Sequence, residues 1–403
     1  MPDRSPAEAP APRGNTTIIL LAFAAFFSGA ALRICDSLLP RLANDFGLTP
    51  GAAGRVILSF SIAYGLMQLV FGPLGDRYGK ARLVCLALFG CAAGALVCAL
   101  APGFDTLVWT RVAWGMSAAG VIPLSMAWIG DTVPYEHRQA TLAKFMTGTL
   151  SGMMAGQLAG GLFADAAPGW RGAFFTLAAG YALVAVLLLV QLRGQPVTSA
   201  LPASGRLAFV AQLRSVLRVP WARVVLAAVL AEGIFLLGPM AYLPSYLHLR
   251  FGLSLSAASA LLALHAVGGL AYAMTAKQIV RRFGERRMVL TGVALIGAGF
   301  VGWLASPLWA LAGPVALVVG FGTYLFHNTL QTHATQMVPE VRGTSVAVFA
   351  FFLFVGQAIG VTAAGYAFDH WGAVPLLLTP AFTLLLTGWA FARALKRRAL
   401  AAA

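Results

Sequence analysis

The sequence predicts an all-α integral membrane protein with twelve transmembrane helices arranged as two pseudo-symmetric six-helix bundles. Composition, the spacing of apolar segments and an internal repeat support this prediction. Of 403 residues, 59% are hydrophobic and only 10% are charged, and the mean hydropathy is +0.81. Because soluble proteins carry about 25% charged residues, this chain has too few polar side chains to cover a water-facing surface.

Apolar segments long enough to cross a bilayer recur along the whole chain. A transmembrane helix needs about 20 mostly apolar residues. The predicted spans are 16–38, 52–74, 83–102, 106–130, 139–163, 172–193, 222–246, 254–276, 287–306, 309–332, 343–366 and 372–392. The predicted domains are a disordered cytosolic tail (1–15), an N-terminal bundle (16–193), a cytoplasmic linker with a short surface helix (194–221) and a C-terminal bundle (222–403).

An internal repeat relates the two predicted bundles. Residues 156–160 read Gly-Gln-Leu-Ala-Gly in span 5, and residues 356–360 read Gly-Gln-Ala-Ile-Gly in span 11. Gln157 and Gln357 therefore occupy equivalent positions on glycine-rich faces. They are candidates either for the functional site or for hydrogen bonds that hold helices together.

The distribution of basic residues predicts the orientation. Of the 28 Lys and Arg residues, 22 fall on the side of the predicted termini, 4 fall on the opposite side and 2 fall inside spans. By the positive-inside rule, both termini are cytoplasmic, and we expect a multi-pass protein of a bacterial cytoplasmic membrane. The net charge of +15 thus reflects topology, so the lipid bilayer is expected as a partner and nucleic acid is not. The four cysteines lie in apolar stretches, and neither metal site nor cofactor is predicted.

Four of the charged residues inside predicted spans are candidates for function, because a charged side chain at the centre of a bilayer costs at least about 2.5–3.5 kcal/mol and needs a physical reason. Arg33 and Asp36 stand three residues apart on one face of span 1 and can pair, which favours an ionised Asp36. Arg111 lies in span 4 and Glu232 near the middle of span 7. Glu232 has no base within a helical turn, so it is the predicted proton site unless Arg111 reaches it. Structural ion pairs between helices are the alternative.

Polar stripes indicate a hydrated cavity. A helix places residues three and four apart on one face, and two spans carry such stripes: Tyr324, His327, Asn328 and Gln331 on span 10, and Ser61, Tyr64 and Gln68 on span 2. Single polar residues in spans more often form hydrogen bonds between helices, and this alternative stays open for both stripes. His265 in span 8 is a further isolated candidate.

Residues 72–82 read Gly-Pro-Leu-Gly-Asp-Arg-Tyr-Gly-Lys-Ala-Arg, which predicts a tight polar connection between two spans. This stretch resembles the motif between helices 2 and 3 of the major facilitator superfamily of transporters, with matches at Gly72, Leu74, Asp76, Arg77, Gly79, Lys80 and Arg82. The resemblance implies that Asp76 sits at the positive N-terminal end of span 11 and latches one conformation. Asp131 would pair with Arg77 or Arg82. Arg281 stands where the second copy of the motif would have an aspartate, so the latch is predicted to be one-sided.

Two further stretches bear on this resemblance. Leu107, Arg111 and Gly115 are spaced as in the family's span-4 motif, whose arginine is tied to proton coupling. In span 5, Gln157 stands where the family's antiporter signature has proline.

The resemblance implies a secondary active transporter that works by alternating access, not an enzyme, with a small molecule and protons as partners and a monomer as the working unit. A parallel repeat of this kind places the substrate near the membrane midplane. The leading hypothesis is proton-coupled export of a small amphiphilic organic compound. The alternative is proton-linked uptake of an organic anion, and a transporter-like sensor or membrane enzyme is a remote one.

Overall fold

The computed structural model describes residues 12–193 and 206–402 of the chain. The side chains of residues 12–14, Asp76, 206–209, 401 and 402 lie outside the described part. The predicted tail 1–15 and residues 194–205 of the predicted linker therefore fall largely or wholly outside it. All secondary-structure elements of the described residues are helical.

The helices follow the order of the predicted spans. The first half contains α1 (Pro12–Phe46), α2 (Pro50–Ala53), α3 (Arg55–Tyr78), α4 (Lys80–Ala99), α5 (Phe104–Ala118), α6 (Val121–Thr132), α7 (Tyr135–Asp165) and α8 (Gly169–Leu192). The second half contains α9 (Arg206–Arg218), α10 (Pro220–Glu232), a π-helical segment (Gly233–Leu237), α11 (Gly238–Met240), α12 (Leu243–Phe251), α13 (Leu255–Ala305), α14 (Ala312–Gln336), α15 (Arg342–Trp371) and α16 (Ala373–Ala402). Short 3-10 turns at Trp309–Leu311 and Pro339–Val341 precede α14 and α15. Helix α9 lies where the sequence predicts a surface helix.

Ten helical segments among the described residues are long and apolar enough to cross a membrane, which confirms the predicted class. Helix α7 coincides with predicted span 5 and is 31 residues long, but it is not one of those ten. Helix α13 covers two predicted spans in 51 residues and is interrupted at Gly284, whose φ of 67° is outside the helical range. The count of twelve spans stays a prediction.

The connection between α3 and α4 differs from the predicted polar loop. Helix α3 continues to Tyr78 and α4 begins at Lys80, so Gly79 alone joins them. Arg and Lys are good helix formers, so the helices extend beyond the apolar residues. Gly79 has a φ of 86°, which glycine adopts without the steric cost that other residues meet.

Glycines bring helices together in the same way in both halves. In α7, a Cβ on Gly156 would lie 2.3 Å from the backbone oxygen of Ala30 in α1. In α15, a Cβ on Gly356 would lie 2.4 Å from the backbone oxygen of Leu230 in α10. Small residues let helix backbones approach closely in membranes. The repeat seen in the sequence thus corresponds to equivalent helix contacts, α7 with α1 and α15 with α10.

We expect the substitution Gly156→Ala to lower the thermal stability of the purified protein. The added methyl group has no room beside α1, and overpacking of this kind typically costs about 1–3 kcal/mol. Gly130→Ala in α6 is the matched control, because no atom lies within 4 Å of the Cβ position there. Unfolding temperatures in detergent would be compared, and equal values for the two variants would contradict the packing argument.

The molecule has two ends, the basic end and the far end. The basic end carries the α3–α4 connection and Gly284, and the sequence predicts that it is cytoplasmic. The far end is the opposite one, where α7 ends at Asp165 and α13 begins at Leu255.

Candidate functional site

A cavity lies between the two halves of the molecule. Its outer compartment, of about 210 Å³, is lined by residues of α1, α7, α10, α13, α14 and α15. This compartment reaches Gln331, which is exposed near the end of α14. A small inner compartment of about 30 Å³ shares Arg33, His265 and Tyr324 with the outer one and extends to Met240 and Leu243. The cavity therefore runs from the middle of the molecule toward the basic end.

Flexible apolar side chains form much of the cavity wall. Met146 and Phe354 line the outer compartment, Met154 and Met240 line the inner one, and Met153 lines both. The unbranched, polarisable methionine side chain adapts to ligands of different shape. Such a wall suits a compound with a sizeable apolar part.

Glu232 and His327 form a buried polar pair in the outer compartment. Both carboxylate oxygens of Glu232, at the end of α10, lie 3.0 and 3.1 Å from Nδ1 of His327 on α14. Glu232 is 1% exposed, and the π-helical segment that follows it is a feature often found at functional sites. Carboxylate and imidazole both bind protons, so this pair can take up or release one into the cavity.

Arg33 and Asp36 form the predicted pair on α1, which is confirmed. Nη1 of Arg33 lies 3.1 Å from Oδ2 of Asp36, and both side chains are buried. Both residues line the inner compartment, and Arg33 also lines the outer one. Oδ1 of Asp36 has no hydrogen-bond partner among the described residues. A fixed positive charge and a free acceptor oxygen thus meet where the two compartments join.

Most of the other predicted polar residues also reach the cavity. Asn328, Gln331 and Gln357 line the outer compartment. Gln157 lines the inner compartment, and its side-chain nitrogen donates to the hydroxyl of Ser37 at 2.7 Å. The stripe predicted on span 10 is therefore part of the cavity wall.

Arg111 does not reach the cavity. Its Nε donates to the backbone oxygen of Val56 at 3.2 Å, and its guanidinium group lies 4.0 Å from the ring centroid of Phe60 and 4.7 Å from that of Trp114. The aromatic faces and the carbonyl oxygen offset the cost of burying this charge. Glu232 has His327 as its partner instead, so the exception in which Arg111 reaches Glu232 does not apply, and Glu232 stays the predicted proton site.

Tyr64 and Gln68 lie in contacts between helices. The side-chain nitrogen of Gln68 donates to the backbone oxygen of Ala119 at 3.3 Å. The ring centroid of Tyr64 lies 4.4 Å from that of Phe354 on α15. With Ser61 they are buried, and they line neither compartment. For this stripe, helix contacts take the place of the predicted hydrated wall.

The motif at the basic end forms a contact other than the one that the resemblance implies. Nζ of Lys80 lies 2.5 Å from Oδ2 of Asp131, whereas Arg77 or Arg82 is the predicted partner. Arg77 lies over the ring of Tyr78 at 5.1 Å. Lys80 is the first residue of α4, which places its long side chain beside the end of α6.

The predictions for Gly72 and Asp76, two residues of that motif, have different outcomes. No atom lies within 4 Å of the Cβ position of Gly72, so no close approach requires a glycine there. The side chain of Asp76 lies outside the described part of the structure, and its role as a latch against span 11 stays a prediction.

Two aspartates that the sequence analysis missed join the halves at the far end. The carboxylate of Asp165 accepts hydrogen bonds from the backbone nitrogens of Leu255, at 3.1 Å, and Ser256, at 2.8 Å. The carboxylate of Asp369 accepts from the backbone nitrogen of Gly51 at 3.0 Å and from the hydroxyl of Thr49 at 2.5 Å. Each aspartate lies at the end of a glycine-rich repeat helix and binds the start of a helix in the other half. At the repeat offset of Gly156 and Gly356, Asp165 aligns with Gly365 and Asp369 with Gly169, so the sequence repeat alone does not identify the two aspartates.

A third contact between the halves lies closer to the cavity. The hydroxyl of Ser259 in α13 donates to that of Ser37 in α1 at 2.7 Å. Together with the two aspartates, it closes the far end beyond the inner compartment. The described structure therefore has its central cavity directed toward the basic end and contacts between the halves at the far end.

Comparisons with known proteins agree with this architecture. Residues 21–361 match the family model of the Major Facilitator Superfamily. The chain is 23% identical over 372 residues to the MFS-type transporter YceJ of Bacillus subtilis, across 90% of this chain and 92% of that protein. It is 28% identical over 152 residues to the quinolone resistance protein NorA of Staphylococcus aureus, which covers 38% of this chain and 39% of NorA.

The fold also resembles that of a solved transporter. The nucleoside transporter NupG superimposes with a TM-score of 0.78 at 12% identity, over 93% of this chain and 98% of that one. At this identity the likeness concerns the fold alone. Because the family model spans most of the chain, the protein belongs to the Major Facilitator Superfamily, whose members are secondary transporters that work by alternating access and are not enzymes.

Proposed function

We propose that this transporter couples proton movement to the export of a small amphiphilic organic compound. The observation that carries the proposal is the Glu232–His327 pair, which is buried in the wall of the cavity. Ionisable residues inside membrane helices are costly and mark proton or substrate pathways. In this scheme the pair is protonated when the cavity faces one side of the membrane and loses its proton when the cavity faces the other.

The walls of the cavity support an amphiphilic substrate. The methionines and Phe354 offer an adaptable apolar surface, and the polar groups of Asn328, Gln331 and Gln357 offer a few hydrogen bonds. Binding pockets for small molecules commonly combine apolar walls with few polar groups. The similarity to a protein named for quinolone resistance, over part of the chain, agrees with the export of such compounds.

Uptake of an organic anion is the second candidate. It is favoured by Arg33, because the guanidinium group lines both compartments and two of its nitrogens form no hydrogen bond among the described residues. Asp36 offsets the charge of Arg33, whereas the methionine-rich wall needs no charged substrate. We therefore place export first.

We further propose that the protein lies in the cytoplasmic membrane of a bacterium with its basic end in the cytoplasm, acting as a single chain. The excess of Lys and Arg at that end supports the orientation. Residues of both halves line the cavity, so one copy of the chain can form a complete site, and a monomer is the proposed unit.

Transport in proteoliposomes would separate export from uptake. A panel of small amphiphiles would be screened by ligand-dependent thermal shift of the purified protein, and each hit would be followed under an imposed pH gradient. For export, we expect the compound and protons to move in opposite directions across the membrane. Substrate accumulation in the same direction as the proton flow would overturn the export proposal in favour of symport.

A further inference from the structure

A second cavity, an open groove separate from the central one, lies at the basic end between the start of α10 and the end of α16. Its volume is about 690 Å³. Its lining combines apolar or aromatic side chains with three arginines, among them Trp221, Val224, Trp389, Arg393, Arg397 and Arg398. No step of the transport mechanism above uses these residues.

The three arginines give this groove a net positive charge, which Glu285 beside Arg398 offsets only in part. Arg393, Arg397 and Arg398 are exposed, and among the described residues none of them forms an ion pair. The guanidinium group of Arg393 lies 5.2 Å from the ring centroid of Trp389, and that of Arg398 lies 4.5 Å from that of Trp221. Stacking on these rings holds the charges at the rim of the groove.

The start of α10 adds hydrogen-bond donors to the same place. Helix α10 begins at Pro220, and no side chain caps its N-terminal N–H groups. The N-terminal end of a helix carries a partial positive charge and binds phosphate groups. The groove thus combines three guanidinium groups with free donors, a set suited to a phosphate anion.

An apolar stripe on α16 leads from the membrane interior to this groove. Phe382, Leu386 and Trp389 are 62%, 65% and 55% exposed, and helical periodicity places them on the same face as Arg393. Tryptophan is enriched where the apolar core of a bilayer meets the headgroups. An acyl chain can lie along this stripe while its headgroup reaches the arginines.

We propose that the groove binds an anionic phospholipid. The phosphate contacts the arginines of α16 and the N-terminal end of α10, and an acyl chain follows the stripe on α16. A soluble phosphate compound shares the headgroup chemistry but has no acyl chain to contact the stripe, and the experiment below separates the two. Basic pockets between transmembrane helices are a known setting for anionic headgroups.

Native mass spectrometry of the delipidated full-length protein would test the proposal. Dioleoyl phosphatidylglycerol, dioleoyl phosphatidylcholine and glycerol 1-phosphate would be titrated separately, so that charge and acyl chains are varied one at a time. We expect one tightly bound phosphatidylglycerol, with phosphatidylcholine and glycerol 1-phosphate each binding at least about tenfold more weakly. Replacing Arg393, Arg397 and Arg398 together by glutamine should weaken phosphatidylglycerol binding by about tenfold or more.

The matched control replaces Lys277, Arg281 and Arg282 by glutamine, which removes the same charge from exposed positions at the basic end. We expect this control to bind phosphatidylglycerol within about twofold of the unmodified protein. Equal weakening in both triple variants would show diffuse attraction and overturn the proposal, as would equal binding of phosphatidylcholine. Equally tight binding of glycerol 1-phosphate would replace the lipid by a soluble phosphate. The single variant Arg393→Gln, with a smaller loss, guards against misfolding of the triple variant.

Discussion

Replacing Glu232 by glutamine should abolish the response of transport to a pH gradient while leaving substrate binding largely intact. Glutamine keeps the shape and the hydrogen bond to His327 but does not titrate between about pH 5 and pH 8. For one proton per substrate, a gradient of one pH unit supplies about 1.4 kcal/mol and sustains a roughly tenfold substrate ratio. In the Glu232→Gln variant this ratio should fall to about one.

Two measurements separate loss of coupling from loss of function. Exchange of labelled substrate at equal concentration on both sides needs no net proton movement, so the variant should retain it. Glu136→Gln is the matched control, because the same change is made at an exposed position at the start of α7. Accumulation that still follows the pH gradient in the Glu232→Gln variant would remove this residue from the coupling mechanism and leave the fold assignment untouched.

Features with a local cause in the sequence were predictable. Arg33 and Asp36 stand three residues apart on one helix, so their pairing follows from helical geometry alone. The stripe that contains His327 shows its polar face through periodicity, and it faces the cavity. The repeat of spans 5 and 11 placed glycine-rich faces at equivalent positions of the two halves, and the structure has equivalent close contacts there, at Gly156 and Gly356.

Features that depend on which helices meet were not predictable from one sequence. Glu232 and His327 are 95 residues apart, and nothing in the local pattern of either identifies the other. In the sequence, Arg111 and Glu232 look alike, because each is a charged residue in an apolar span. However, Arg111 lies among aromatic rings within the first half, whereas Glu232 faces the cavity. Periodicity gives the face of a helix but leaves the neighbour of that face undetermined.

The missed aspartates illustrate the same limit. Asp165 and Asp369 lie at the ends of spans, where a charged residue is common and does not by itself indicate a function. Their role depends on the starts of α13 and α2 in the opposite halves. Each of the two contacts joins a repeat helix to the other half. The two carboxylates therefore hold the far end closed.

Replacing both aspartates by asparagine should shift the transporter toward a conformation that is open at the far end. Each substitution removes a negative charge from the start of a helix and exchanges one acceptor oxygen for a donor nitrogen. A charge at a helix N-terminus contributes up to about 1 kcal/mol at exposed positions. The double variant Asp165→Asn with Asp369→Asn should therefore change the ratio of closed to open molecules by up to roughly 30-fold.

Distances between spin labels at Gly103→Cys and Leu308→Cys would report this shift, because the two positions lie in far-end connections of different halves. The native cysteines are buried and are poorly accessible to the labelling reagent. Asp105→Asn is the matched control, since Asp105 pairs with Arg55 within the first half at 2.8 Å. An unchanged distance distribution in the double variant, or an equal change in the control, would contradict the role of the two aspartates.

The same spin labels would report how the closure of the far end depends on pH. Burial raises the pKa of Asp165, but hydrogen bonds from Ser256 and Leu255 outweigh that effect and hold it below its ordinary value of 3.8. Its contribution to the closed conformation is thus complete above that value and disappears only as the pH falls through the lowered pKa. Between about pH 5 and pH 8, Asp165 should hold the far end closed without responding to protons. A pH-dependent opening in this window that persists in Asp165→Asn would assign the response to other titratable groups, either the Glu232–His327 pair of the cavity or the far-end histidines His248 and His370.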